Sequence, residues 1–321
     1  MMPKSRSFAR APRHLLVAGA AAMAVALSPV PAMAKGPETP EAKARRSPLV
    51  IAHRGGAMNR PENTMPAFRH AVDLGVEIVE FDMVMTADDR IAVYHDGTIN
   101  PNFCTPDAGS NVVAGPVRGL SLAQTRQFDC GTNVRSAYAG ESYVAVPGAR
   151  IPSLDEALAG LAGSKARLFI ETKVPKPAPG VADIDLVKFA ALVNDAVRRH
   201  GLEDRVILQS FDFRTIDALH RINPRIPTCL LGAPKLTQDY LALLRQHHAS
   251  CIVLSDTEID RDGVRALQDA GILVFSGVSD APEGWQKYVD LGVDAIFAND
   301  AEGLINFLGR AGVRPQTRRL P

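Results

Sequence analysis

Glu77-Ile78-Val79-Glu80-Phe81-Asp82-Met83-Val84-Met85-Thr86-Ala87-Asp88-Asp89-Arg90-Ile91-Ala92-Val93-Tyr94-His95 holds two apolar runs, Glu77 to Met85 and Ile91 to His95, with only five residues between them. A parallel crossover needs at least about 10 to 12 residues, so the second run must return antiparallel, as a hairpin off the first. Outward from this pair, similar runs occupy Leu49 to His53, Arg167 to Thr172, Val206 to Ser210, Thr228 to Leu231, Cys251 to Leu254, Ile272 to Phe275 and Ala295 to Phe297. They alternate with stretches of helical character, including Thr64 to Leu74, Leu154 to Leu161, Asp183 to His200, Phe213 to Arg221, Thr237 to His247 and Arg261 to Ala270. That alternation specifies βα units around a parallel sheet. With the hairpin strand set aside, eight runs remain, the number that closes a (β/α)8 TIM barrel. Ser153 ahead of Glu156 forms an S-x-x-E capping box for one of the helices. The stretch from Gly97 to Arg150, punctuated by Pro101, Pro106, Pro116 and Pro147, is too long for an ordinary barrel loop. It reads as an insertion, after the hairpin off the second strand, that covers the substrate mouth.

The N-terminus sets the expected compartment. Lys4, Arg6, Arg10 and Arg13 precede an uncharged run from Leu15 to Leu27, and Ala32-Met33-Ala34 follows. This is the pattern of a signal peptide over residues 1–34, cleaved near Ala34, with a periplasmic or secreted product. The apolar run is too short for a bilayer, which takes about 20 residues, and no cysteine near the cut offers a lipid attachment point. A stable membrane anchor is therefore not expected. Residues 35–47 read as a flexible linker, 48–312 as the catalytic domain and 313–321 as a tail. Cleavage would remove four basic side chains and leave a formal net charge of −3. Balanced charge and 6% aromatic content lack the basic, stacking surface that a nucleic-acid partner requires. All four cysteines lie in the exported part. For Cys104 and Cys130, flanking a loop-rich stretch, a bridge and free thiols stay equally open; Cys229 and Cys251, on predicted strands, read as buried free thiols.

Polar clusters fall at the ends of successive predicted strands, where barrel enzymes carry their active sites. The first strand ends in His53-Arg54-Gly55-Gly56. In the second, a side-chain period of two puts Glu80 and Asp82 on one face. Two neighbouring carboxylates repel unless a cation lies between them, and hard oxygen donors suit Mg2+ or Ca2+. The hairpin strand ends in His95-Asp96-Gly97, and Ile170-Glu171-Thr172-Lys173 adds a third carboxylate and a cation at another strand end. His70, His200, His220, His247 and His248 fall on predicted helices or their ends and Trp285 in a polar segment, which read as solvated and packing positions.

Through His53-Arg54-Gly55, Pro61-Glu62-Asn63-Thr64, Glu80-Phe81-Asp82, His95-Asp96, Ile151-Pro152-Ser153-Leu154, Ile170-Glu171-Thr172-Lys173 and Gly292-Val293-Asp294-Ala295-Ile296, the chain closely resembles the glycerophosphodiester phosphodiesterases. These are relatives of the phosphatidylinositol-specific phospholipase C-like phosphodiesterases. The resemblance implies that Glu80, Asp82 and Glu171 bind a divalent metal; oxygen donors suit both calcium and magnesium, and export favours calcium. It implies that His53 and His95 exchange protons and that Arg54 and Lys173 hold the phosphate of a small glycerophosphodiester. Glu62 is expected beside substrate, metal shell or a catalytic histidine, while capping alone would explain Asn63. One departure concerns Val274-Phe275-Ser276-Gly277-Val278-Ser279-Asp280, where Ser276 stands in place of a tryptophan common in the family. A lost indole would leave a wider, more polar wall, with Phe211 or Phe275 to compensate. Two other functions compete with hydrolysis of glycerophosphodiesters: a phospholipase D-like activity on lysophospholipids, and an exported phosphodiester-binding protein without turnover. Retention of both histidines and all three carboxylates speaks against the last.

Overall fold

The computed structural model describes residues 47–232, 239–258 and 260–309. The expected signal peptide, nearly all of the linker, the last residues of the domain and the C-terminal tail lie outside them. Eleven strands are present among the described residues: β1 (Leu49–Ala52), β2 (Ile78–Met85), β3 (Ile91–Val93), β4 (Thr105–Pro106), β5 (Phe128–Asp129), β6 (Arg167–Thr172), β7 (Val206–Ser210), β8 (Thr228–Leu231), β9 (Cys251–Leu254), β10 (Leu273–Val278) and β11 (Ala295–Ala298). The main sheet runs β1-β11-β10-β9-β8-β7-β6-β2, and β1 pairs with β2 to close it. All of those pairings are parallel, so the chain forms a (β/α)8 barrel. The ninth run is the hairpin required by its short connection: β3 pairs antiparallel with β2, Met85 opposite Ile91 and Met83 opposite Val93.

Two cores follow from the strand period. Leu49, Ile51, Ile78, Phe169, Ile207, Phe275, Ala295 and Phe297 fill the barrel interior, while Val50, Val79, Phe81, Met83, Leu168, Ile170 and Leu208 face the helix layer. Helices α1 (Met65–Leu74), α3 (Leu154–Leu161), α4 (Leu186–Arg199) and α5 (Phe213–Ile222) pack on that outer face, after a short α2 (Leu122–Thr125) in the insertion. The predicted capping box is formed, the Ser153 hydroxyl accepting from the Glu156 amide and the Glu156 carboxylate from the Ser153 amide.

Cys229 and Cys251 correct the expectation of free thiols. They face each other in register on β8 and β9, both pointing into the barrel, with Cα atoms 4.5 Å apart, and are joined as a disulfide. Side-chain period predicted burial for each thiol; the strand register that makes them neighbours is a property of the closed sheet. Cys104 and Cys130 also form a disulfide, inside the insertion. The insertion is less irregular than its sequence implies. It contains the β4–β5 ladder and a third cluster in which Ile99, Phe103, Val117 and Phe128 pack with Val84, Ala92 and Tyr94 of the hairpin.

Candidate active site

Strand parity builds the centre of the site. Ile78, Glu80 and Asp82 face the barrel interior in ascending order along β2, and Asp82 lies beside Glu171 in the register with β6. Apolar side chains therefore fill the lower interior and carboxylates its C-terminal end. Glu80, Asp82 and Glu171 are all buried, at 1%, 0% and 5% exposure, with donor oxygens within 4.8 Å of one another. Glu80 accepts hydrogen bonds from the Arg54 amide at 2.7 Å and from Gln209 Nε2 at 3.0 Å. Asp82 is held by a two-point clamp: Asn63 Nδ2 donates to its Oδ2 at 2.8 Å and Asn63 Oδ1 accepts from its amide at 3.1 Å.

Two cations lie against the carboxylates. Lys173 Nζ stands 3.2 Å from Asp82 Oδ1 and 2.6 Å from Glu171 Oε1, and Arg54 Nε is 3.4 Å from Asp82 Oδ2. Burial would raise Asp82, but Lys173 and Arg54 outweigh it and hold the group below its ordinary range. The other two move upward. Burial, then Asp82 and Glu171, raises Glu80 well above the usual carboxylate range, and burial with Asp82 pushes Glu171 up to about 7. The chain's own cations thus leave two of the three carboxylates short of compensating charge. An oxygen-only, charge-deficient cluster of this kind fits a hard divalent cation.

His53 follows β1 directly, in a turn that reverses over Arg54 (φ 54°) and Gly55 (φ 81°). A Cβ on Gly55 would meet Phe68 at 2.8 Å and Ala67 at 2.9 Å, so glycine is required by both the backbone conformation and the space. The His53 ring packs edge-on against Phe297, and Nδ1 lies 2.7 Å from Asn299 Oδ1. Asn299 is itself oriented by Asp280, whose carboxylate accepts from its amide and from Nδ2, each at 2.7 Å. A carboxylate can only accept, so Asn299 presents its oxygen to His53, Nδ1 carries the proton, and the Nε2 lone pair faces the carboxylates, 3.9 Å from Glu80. Burial, reinforced by the Arg54 charge, lowers His53 to about 3 and keeps it neutral. His95 has a different partner: its Nδ1 lies 2.6 Å from Asp96 Oδ1. It lines, with Glu171, Lys173 and Phe211, a cavity of about 550 Å³ at the barrel mouth.

All the sequence-predicted site residues except Glu62 meet at this end of the barrel around the carboxylates. Glu62 stands outside the cluster, accepting from Arg54 Nη1 at 3.2 Å and from Arg135 of the insertion. Asn63 is not the cap that would have explained it; Thr64 caps α1 and Asn63 clamps Asp82. Ser276 is fully buried, its hydroxyl donating to the Gly277 carbonyl and accepting from the Phe297 amide. Phe275 is locked inside the barrel against Phe169, whereas Phe211 is 64% exposed at the mouth, so only Phe211 is placed to touch a ligand. Trp285 is the expected packing anchor, buried and donating Nε1–H to the Ser279 carbonyl. Gln209, Asp280, Asn299 and Arg135 were missed as site residues. The strand-end rule that selected Glu171 would have found Gln209 on β7 and Asn299 just past β11.

Residues 53–302 match the glycerophosphoryl diester phosphodiesterase family. The chain belongs to that family. Its curated relatives include a glycerophosphodiester phosphodiesterase of Caldanaerobacter subterraneus, 29% identical over 265 residues that make up 82% of this chain and 99% of the relative. Another, from Bacillus subtilis, is 26% identical over 254 residues, 78% of this chain and 83% of the relative. Among solved structures, an Oleispira antarctica phosphodiesterase in complex with the product sn-glycerol-3-phosphate superposes with a TM-score of 0.68 at 20% identity, covering 83% of this chain and 99% of the other. That likeness establishes the shared fold. The insertion and the strand-end carboxylates of this phosphodiesterase-family chain lie within the matched span.

Proposed function

We propose that the protein hydrolyses glycerophosphodiesters to glycerol 3-phosphate and an alcohol, by a metal-dependent mechanism in which His53 and His95 transfer the protons. The observation that carries this reading is the convergence of two histidines with fixed Nδ1 partners on a buried three-carboxylate, two-cation cluster. A binding protein would need neither oriented imidazole. Glu80, Asp82 and Glu171 are the residues that would hold the ion, calcium in preference to magnesium for an exported enzyme with oxygen donors. Once bound, such an ion supplies Lewis-acid neutralisation of phosphate oxygens. Arg54 and Lys173, kept charged by their carboxylate neighbours, hold the phosphodiester and oppose the charge that develops on it. His53, neutral and with a free Nε2, takes the proton from the attacking hydroxyl. His95, held through Nδ1 by Asp96, gives a proton to the leaving alkoxide. The substrate's own glycerol hydroxyl attacks first and water opens the resulting cyclic phosphate. Export through the N-terminal signal belongs to the same proposal, and two disulfides agree with an oxidising compartment. The alternative lysophospholipid substrate draws on Ser276 and on the insertion; Ser276 is buried, so the insertion carries what remains of that case.

The test is release of glycerol 3-phosphate from glycerophosphocholine by the mature protein, with calcium, with magnesium and after chelation. Turnover that stops on chelation and returns with calcium is expected. No turnover with either metal on any glycerophosphodiester would overturn the proposal.

A further inference from the structure

Arg135 belongs to the insertion, far from every motif, yet its guanidinium reaches both sides of the mouth. Nε donates to Glu62 Oε2 and Nη2 to Glu62 Oε1, each at 3.0 Å, in the two-pronged geometry that suits this pair; Nη2 also donates to Asp96 Oδ2 at 2.9 Å. Behind it lies the ring of Phe103, 4.4 Å from the guanidinium carbon. Both carboxylates that Arg135 holds are in contact with a proposed functional group. Asp96 uses its other oxygen for His95 Nδ1, and Glu62 Oε1 also accepts from Arg54 Nη1. One side chain is thus one step removed from the histidine on the hairpin side and from the phosphate-binding arginine on the β1 side.

The segment carrying Arg135 is anchored. Cys130 is bonded to Cys104, next to Phe103. Asp129 gathers the amides of Gly131, Thr132 and Gly148. Gly131 passes so close to the Val146 carbonyl that any Cβ there would collide with it. Downstream, the Val144 amide donates to the Asn59 carbonyl in the loop after β1. An arginine held this way at both ends and along its ring face is pre-organised to fix its carboxylate partners.

We infer that Arg135 is a positioning residue of the active site: it fixes Asp96 and Glu62, and through them the aim of His95 and Arg54. It is poorly placed to bind substrate directly, because its Nε and Nη2 donors are taken by carboxylates and one face by Phe103. Without it, Glu62 keeps Arg54 and Asp96 keeps His95 but each loses its fixed second partner, and each is free to draw its functional partner out of line. This inference rests on the hydrolytic reading proposed above.

The experiment compares the full-length protein with its Arg135→Ala and Arg135→Lys variants, measuring kcat and KM for glycerophosphocholine in calcium, with a thermal melt of each. Because the interaction acts on orientation one step behind the reacting groups, Arg135→Ala is expected to lower kcat by about 10- to 100-fold with KM changed less than about threefold. Arg135→Lys, which retains charge but loses the fork, should fall between. Should Arg135→Ala fail to fold, the lysine variant decides alone on the same split between kcat and KM. A kcat within about threefold of the parent in a folded variant overturns the inference, as does a rise in KM at constant kcat, which would make Arg135 a substrate-binding cation. An inactive parent protein would instead count against the hydrolytic reading itself.

Discussion

His53 and His95 make the same chemical gesture from different kinds of structure. Each presents Nδ1 to a side-chain oxygen and leaves Nε2 for the mouth, but His53 sits at the end of β1 in the closed barrel, while His95 lies two residues past a three-residue strand paired with β2 outside that barrel. The partner of His53 is a neutral amide held by Asp280 in the loop after β10; the partner of His95 is a carboxylate held by the insertion. An amide fixes the tautomer without stabilising the cation, and a carboxylate does both. On the mechanism proposed above, the base is built into the frame and the acid is assembled by an addition to it.

Replacing either histidine by alanine should produce the largest effect, a fall in kcat of about 10²- to 10⁴-fold. Steady-state assays in which one variant keeps activity within tenfold of the parent would remove that histidine from the pair. Next comes the frame around the acid. Cys104→Ser opens the bridge inside the insertion and should cost about 3 kcal/mol of stability, read by urea unfolding. Asn299→Ala, which leaves the barrel intact and frees the His53 ring, should lower kcat by about 10- to 100-fold at nearly constant melting temperature. The more incisive change is Asn299→Asp, which makes the two histidines alike. A carboxylate raises the pKa of a neighbouring imidazole, so a base held neutral down to about pH 3 would protonate at higher pH. The acidic limb of kcat/KM should then move to higher pH by about 1 to 2 units; an unmoved limb would mean that His53 is not the base. The smallest effect belongs to Phe211→Ala at the open edge of the mouth, a two- to tenfold rise in KM from the loss of about 0.5 to 1.5 kcal/mol of ring contact.

The same contrast marks what the sequence made legible. Barrel, hairpin and all three carboxylates followed from strand alternation, the period of two and connection length, and the capping box from its S-x-x-E spacing, all of them local rules. Glu80 and Asp82 needed only their spacing; Glu171 needed only its place at a strand end. The Cys229–Cys251 bond, the Asn299 hydrogen bond to His53 and the hydrogen bond of the Phe297 amide to the Ser276 hydroxyl depend on register between strands that meet only after closure. Arg135 was the least visible, since it lies in a segment with no periodic pattern and meets Glu62 73 residues away. Glu62 is singled out in the sequence by its motif, whereas the structure ties it to the mouth through Arg54 and Arg135.

The parity of β2 carries a consequence for how such a chain can change. Ile78, Glu80 and Asp82 point inward because two peptide units separate each from the next, and β2 is locked on both flanks by β1 and β6. Inserting a single residue between Ile78 and Val79 would swing both carboxylates into the oily helix layer and bring Val79 and Phe81 inward. Point substitutions degrade such a centre by degrees, whereas a change of length at that place inverts it. Evolutionary drift in length is therefore barred from the few residues around Phe81 and free to collect in the stretch from Gly97 to Arg150, where this chain carries its long addition.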